Sequence, residues 1–182
     1  GYATDVRGIY KTTDGGSSWI SLNAPQTAYL DLSVLSTDTL WIVTPEPFTG
    51  GVFFTTNGGG SWHNQFSGGN QNPNKIYMYN ARIGFMSNSS SGSPNIYKTT
   101  NGGTNWNINL PGEYFVDMHF IDSLTGWKSM YESTSADTSV KKTTNGGINW
   151  LKQKLPSGGI IITPQITSFS FTNKDTIWGA GG

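Results

Sequence analysis

The chain contains no cysteine, which excludes disulfides, zinc–thiolate centres and thiol nucleophiles but leaves its compartment open. It is also short of charge. Of its 182 residues, 12% are charged, about half the usual ~25%. Acidic and basic residues number 11 each, for a net charge of zero. No basic patch argues for nucleic acid, and no acidic run reads as a disordered tail. No stretch approaches the ~20 apolar residues of a membrane-spanning helix, so no transmembrane segment is expected. Nothing has the period of a helix of useful length. The two histidines, His63 and His119, lie too far apart in register to share a metal. No serine sits in a nucleophile elbow. Gly-Gly pairs are present, but between strand-like runs rather than at strand-to-helix turns, so they do not read as phosphate loops. No cofactor or metal is expected. No signal peptide is legible, although the chain opens abruptly at Gly1-Tyr2-Ala3-Thr4 and an upstream segment stays an open question.

What the chain does have is Gly, Ser, Thr and Asn, arranged in a repeat. Thr12-Thr13-Asp14-Gly15-Gly16-Ser17-Ser18-Trp19 returns as Thr55 to Trp62, as Thr99 to Trp106 and as Thr143 to Trp150. The four tryptophans stand 43, 44 and 44 residues apart. A fixed period of that size points to a propeller or a solenoid. Each copy is flanked by β-prone runs: Gly8-Ile9-Tyr10-Lys11, Val52-Phe53-Phe54, Ile96-Tyr97-Lys98 and Val140-Lys141-Lys142 before it, and runs opening on Trp19, Trp62, Trp106 and Trp150 after it. Two such runs joined by Asn-Gly-Gly or Asp-Gly-Gly predict a hairpin, because glycine accepts the positive φ its turn needs.

Between the hairpins a second block recurs. Tyr29 to Leu35 precedes Thr39 to Val43, Lys75 to Tyr79 precedes Ile83 to Met86, Val116 to Ile121 precedes Thr125 to Lys128, and Ile166 to Phe171 precedes Thr176 to Gly179. The apolar columns Leu32, Ile76, Met118, Phe169 and Val34, Met78, Phe120, Phe171 keep the period of two that strands require. One repeat therefore holds four strands, A to D, the size of one propeller blade. The expected fold is all-β: a propeller of four-stranded antiparallel blades over residues 1–182, with hairpins at 12–19, 55–62, 99–106 and 143–150. Three blades read as complete. The fourth is split, with its C and D strands at the N-terminus and A and B at the C-terminus. Strand A would be innermost and line a channel. Two arrangements fit: a small ring closed by the shared blade, or a piece of a larger propeller, which is the preferred expectation.

The pattern Thr-x-(Asp/Asn)-Gly-Gly-x-x-Trp resembles the Asp-box, or BNR repeat, of β-propellers. The fuller unit, with Thr125-Gly126-Trp127 and Ile96-Tyr97-Lys98-Thr99-Thr100-Asn101-Gly102-Gly103, looks most like the repeats of photosystem II stability and assembly factor-like proteins, which are common in secreted bacterial proteins. This resemblance spans essentially the whole chain. It implies a fold far more specifically than a function, because one fold hosts many activities. In the motif Asp14, Asn57, Asn101 and Asn145 are expected to accept hydrogen bonds within their own turns. Trp19, Trp62, Trp106 and Trp150 should wedge between blades. With Asn in three of four copies, a carboxylate metal role is not expected there. Trp41, Trp127 and Trp178 fall in one column with Phe85 and Tyr2, and a column repeated in every blade reads as core.

Sialidases also carry Asp-boxes, but their sites need three arginines, and this chain has only Arg7 and Arg82. The remaining candidate catalytic pair is Asp31 and Asp117, which hold one position of strand A two repeats apart; Lys75 and Ser168 hold it in the others. Paired carboxylates about 5–10 Å apart cleave glycosidic bonds, and xyloglucanase-like propellers use facing aspartates. The competing expectation is that both carboxylates bond backbone or Lys75. His119 lies on the polar side of strand A and joins Asp31, Lys75 and Asp117 as a candidate binding residue; His63 reads as solvated on an outer strand. The leading expectation is a non-enzymatic, secreted or cell-surface scaffold or binding module within a larger protein, for a protein or glycan partner. The alternatives are a polysaccharide hydrolase using Asp31 and Asp117, and an assembly factor for a membrane complex. Specificity would lie in the loops Phe66–Asn74 and Ser87–Pro94. The second of these includes the sequon Asn88-Ser89-Ser90, read as ordinary surface loop.

Overall fold

The computed structural model describes residues 1–5, 7–24, 28–45, 50–67, 72–88, 94–130, 140–154, 166–173 and 175–181. Every regular element among them is a β-strand, and every strand pair is antiparallel. The chain divides into two compact units, Gly1–Glu113 and Tyr114–Gly182.

The first unit holds three sheets. One comprises β1 (Tyr2–Asp5), β2 (Gly8–Lys11) and β3 (Ile20–Leu22). The next comprises β4 (Asp31–Val34), β5 (Leu40–Thr44), β6 (Gly51–Thr55) and β7 (His63–Ser67). The third comprises β8 (Pro73–Met78), β9 (Gly84–Asn88), β10 (Asn95–Thr99) and β11 (Asn107–Pro111). The second unit holds a four-stranded sheet of β12 (Asp117–Phe120), β13 (Gly126–Ser129), β14 (Val140–Thr143) and β15 (Leu151–Lys152), and a two-stranded sheet of β16 (Ile166–Asn173) and β17 (Thr176–Gly181). Within every sheet, sequence neighbours are spatial neighbours, as short hairpin loops dictate. The N-terminal sheet includes a B strand, in keeping with the place of Tyr2 in that column: Tyr2–Asp5 pairs along β2 from Tyr2↔Lys11 to Asp5↔Gly8.

Burial follows strand order. The second strands β5, β9 and β13 are buried at every residue, whereas β7, β11 and β15 are largely exposed. This is why Leu40-Trp41-Ile42-Val43 is a continuous apolar run rather than an alternating one: both of its faces are covered. In the first unit the core lies between sheets. Trp41, Val43 and Val52 pack with Ile76, Met78, Met86 and Tyr97 of the following sheet. Ile42, Leu40 and Phe53 pack with Ile9 of the preceding one. Full burial of one such side chain contributes about 1.5–3 kcal/mol, as an upper estimate.

The four hairpin turns share one hydrogen-bond pattern. The first threonine of each donates to the Asp or Asn side chain two residues on: Thr12 to Asp14 at 2.8 Å, Thr55 to Asn57 at 2.9 Å, and Thr99 to Asn101 and Thr143 to Asn145 at 3.0 Å. The same hydroxyl accepts from the second glycine, at 2.9, 3.1, 2.8 and 3.0 Å for Gly16, Gly59, Gly103 and Gly147. The Asp or Asn oxygen in turn accepts from the amide four residues on, of Ser18, Ser61, Asn105 or Asn149. Both glycines need the left-handed region, with φ of 70° at Gly102 and 89° at Gly103.

The tryptophans divide. Trp62 and Trp106 pack against the two inter-sheet clusters, as wedges should. Trp150 meets Phe120 of its own sheet edge-on, with ring centroids 5.9 Å apart. Trp19, in the first described sheet, is 48% exposed. In the other column Trp41, Phe85 and Trp127 are buried, but Trp178 is 68% exposed, contrary to its reading as core. The face of Trp41 is covered by Ile76 and Met78 from the next sheet; among the described residues of the second unit, no strand lies over the corresponding face of β17.

Candidate functional site

The candidate residues fall on the first strands of their sheets, two per unit. Asp31 and Lys75 belong to the first. Asp31 projects from β4 toward β8, where its Oδ2 accepts the Ile76 amide at 3.0 Å, while its Oδ1 lies 3.9 Å from Lys75 Nζ. Two residues along β4, the Ser33 hydroxyl accepts the Met78 amide at 2.9 Å. Side chains at i and i+2 of one strand thus bond amides at j and j+2 of the next. Strand periodicity makes this possible, since alternate residues share a face. Each bond supplies a partner to an N–H that would otherwise be costly to bury.

The second unit repeats the device with a change. Asp117 Oδ2 accepts the Phe169 amide at 2.6 Å, and Oδ1 accepts the amide of Met118 at 2.8 Å. Two residues on, where β4 carries Ser33, β12 carries His119. Its ring stacks on Phe171, centroids 4.0 Å apart and planes 14° from parallel. Burial pushes the His119 imidazole below its ordinary pKa, opposed by the nearby Asp117 carboxylate. His63 is exposed on β7.

These carboxylates are placed to hold strands. Each gives one oxygen to a backbone amide of the neighbouring A strand. Among the described residues, no group of three His, Asp or Glu side chains forms a metal set, and no helix is long and apolar enough to cross a membrane. Of the two long loops, residues 68–71 and 89–93, with Ser89 and Ser90 of the sequon, lie outside the described residues.

Two features escaped the sequence. The acceptors are pairs, so Ser33 belongs with Asp31; its spacing of two on the same strand was the available signal. The other is a buried lysine pair. Lys128 and Lys141 sit opposite each other on β13 and β14, at 0% and 9% exposure. The same register positions hold Ile42 and Phe53 in one sheet and Met86 and Tyr97 in another. Lys128 Nζ lies 5.2 Å from the centre of the Trp150 ring.

Solved structures similar to this chain include a GH74 enzyme of Niastella koreensis, with a TM-score of 0.68 and 17% identity over 82% of this chain and 27% of that one. YCF48 bound to a D1 peptide is similar with a TM-score of 0.64 and 20% identity, over 98% of this chain and 57% of that one. The GH74 xyloglucanase of Xanthomonas campestris follows at 0.61 and 16%, over 83% and 28%. The fold is a β-propeller. Its four-stranded antiparallel sheets are the propeller's blades, with β4, β8 and β12 as their A strands. The chain spans about a quarter of the length of the GH74 enzymes and just over half that of the YCF48 chain. At these identities the likeness speaks for the propeller fold alone. No family model matches the chain, and no curated protein matches its sequence.

Proposed function

We propose that this propeller is a non-enzymatic binding module for a polypeptide partner, secreted or displayed at the cell surface as part of a larger protein. The observation that carries the non-enzymatic reading is the engagement of both candidate carboxylates: Asp31 and Asp117 each accept an amide of the neighbouring A strand. The hairpin hydrogen bonds, common to all four turns, support their assignment as Asp-boxes with a structural role. The polar, nearly uncharged composition supports an extracellular setting, and the partial coverage of similar structures supports a larger parent protein. The likeness to YCF48, solved with a peptide bound, supports a polypeptide over a glycan.

The likeness to GH74 enzymes supports a second reading, hydrolysis of a polysaccharide by Asp31 and Asp117. Reducing-end release from β-glucans separates the two. The expected result is no release from the native chain, with Asp31→Asn and Asp117→Asn proteins changed only in stability. Hydrolysis that disappears in either variant, at unchanged melting temperature, overturns the binding-module reading. Capture on a glycan array without turnover would replace the polypeptide partner by a sugar.

A further inference from the structure

Three of the four hairpin turns place glycine directly after asparagine: Asn57-Gly58, Asn101-Gly102 and Asn145-Gly146. That pair carries a reaction of its own. The glycine amide nitrogen, once deprotonated, attacks the asparagine Cγ. A C–N bond forms, the side-chain –NH2 leaves as ammonia, and a cyclic imide results. Water then opens the ring at either carbonyl, giving Asp or its β-linked isomer. Glycine favours the attack because no Cβ shields its nitrogen. The chain must supply an N–H open to base and a side chain free to swing over that nitrogen.

The turns withhold both. The Gly58 amide donates to the Asp38 carbonyl at 2.9 Å, the Gly102 amide to Arg82 at 2.9 Å and the Gly146 amide to Leu124 at 2.8 Å. Gly58 and Gly146 are buried and Gly102 is half-buried. Each acceptor lies in the turn between the first two strands of the same sheet: β4–β5, β8–β9 or β12–β13. Meanwhile each asparagine Oδ1 is held by its threonine hydroxyl and by the amide four residues on. Those two donors also polarise the carbonyl and would assist attack by a freed nitrogen, as donors to a developing oxyanion do. Closure therefore rests on the glycine N–H.

The acceptor turns are pinned in their own right, by one side chain each. Ser36 Oγ accepts the amides of Asp38 and Thr39 at 3.3 and 3.1 Å. Asn80 Oδ1 accepts those of Arg82 and Ile83, both at 2.8 Å, and Asp122 Oδ1 those of Leu124 and Thr125, both at 2.7 Å. Such local side-chain acceptors shape a turn, and here the shaped turn aims its carbonyl at the glycine. The line of contact runs from Asn80 through the Arg82 carbonyl and the Gly102 amide to Asn101, with a counterpart in each of the other two sheets. The first hairpin shows how the turn receives the ordinary product. Asp14 accepts the Thr12 hydroxyl and the Ser18 amide just as the asparagines accept theirs. The β-linked isomer instead lengthens the main chain by a carbon, which displaces the glycine amide from its acceptor.

We propose that Asn57, Asn101 and Asn145 are latent deamidation sites, each held closed by the first turn of its own sheet and opened when that turn lets go. Deamidation then records local opening one sheet at a time. The proposal is independent of the binding-module reading.

The test is peptide mapping by mass spectrometry after incubation at mildly alkaline pH in heavy-oxygen water, which labels each ring opening. All three sites are expected to react at least roughly tenfold faster in urea than in the native chain. Ser36→Ala should accelerate Asn57 alone, Asn80→Ala should accelerate Asn101 alone, and Asp122→Ala should accelerate Asn145 alone, each by roughly threefold or more in the native chain. The two other sites of each variant are the control for global unfolding, and rates in urea should not change. Hydrogen exchange of the Gly58, Gly102 and Gly146 amides should rise in the same pattern. Native rates equal to those in urea would overturn the proposal. So would uniform acceleration of all three sites by all three variants, or an unchanged deamidation rate beside a glycine amide that has begun to exchange freely.

Discussion

Thr99 is buried, and its hydroxyl makes three bonds at once: it donates to Asn101 Oδ1 and accepts the amides of Asn101 and Gly103. Removing it leaves the Gly103 amide, itself buried, without its acceptor. Thr99→Val keeps the shape and deletes the oxygen, so it should cost about 1–3 kcal/mol. For a chain of this size that is a fall in Tm of roughly 2–12 °C. Thr99→Ser should recover most of the loss; a valine protein melting with the serine one would refute the turn assignment. Asp14 predicts the reverse outcome. Hydroxyl and amide of Ser18, with the Thr12 hydroxyl, hold its carboxylate well below the usual range. A carboxylate depressed on folding stabilises above its unfolded pKa, near ~4, and the contribution is lost as pH falls through the lower folded value. The group is fully exposed, and the other three turns use Asn. Asp14→Asn should therefore leave stability at pH 7 almost unchanged. It should also flatten the loss of stability between pH 4 and 2, followed by thermal melts across that range. A large loss at pH 7 would show that the charge itself holds the turn.

At the scale of elements, stability is set by what lies over each strand. β5 and β9 are buried throughout, whereas β16 and β17 are mostly exposed among the described residues. Native-state hydrogen exchange should be slowest in β5 and β9 and fastest in β16–β17; comparable protection of β17 and β5 would contradict this. Sheets in the first unit are also joined by Gln65, which accepts from Trp41 Nε1 at 2.9 Å and donates to the Gly102 carbonyl at 2.8 Å. A Cβ on Gly103 would lie 2.1 Å from Gln65 Oε1, at a φ of 89° that non-glycine residues resist. Gly103→Ala should therefore expel Gln65, strand the Trp41 N–H and destabilise by about 2 kcal/mol or more, measurable by urea melts. Strands and turns were legible in sequence because both depend on local chemistry: alternation, continuous apolar runs and Asn-Gly-Gly. Which β8 amide Asp31 bonds, and that Ser33 joins it, was not, because this depends on register between sheets 45 residues apart. Trp178 was misplaced for a related reason. A column position fixes the face on which a side chain points, but its burial depends on the strand that covers that face.

For the whole molecule, the decisive quantity is its sparse charge. Eleven acidic and eleven basic residues give zero net charge near neutrality and a pI of about 6.9. Among side chains, only the two histidines are of a type that titrates between pH 5 and 8. Net charge therefore changes little between the carboxylate range, near pH 4–5, and the lysine range, near pH 10. The chain therefore stays close to neutrality over several pH units around its pI. Large apolar side chains meanwhile reach solvent at Ile20, Ile148 and Leu151, besides Trp178. With little repulsion to oppose contact between such side chains, self-association should be strongest near zero charge. The predicted consequence is a broad plateau of low solubility from about pH 5.5 to about pH 9, in place of a narrow minimum at the pI. Static light scattering against pH at low ionic strength tests it. Substituting several exposed serines or threonines by Glu should lower scattering across the whole plateau, since each adds a charge that persists throughout it. A sharp minimum confined to the pI, or no effect of the added glutamates, would mean that exposed apolar contacts and not missing charge govern association.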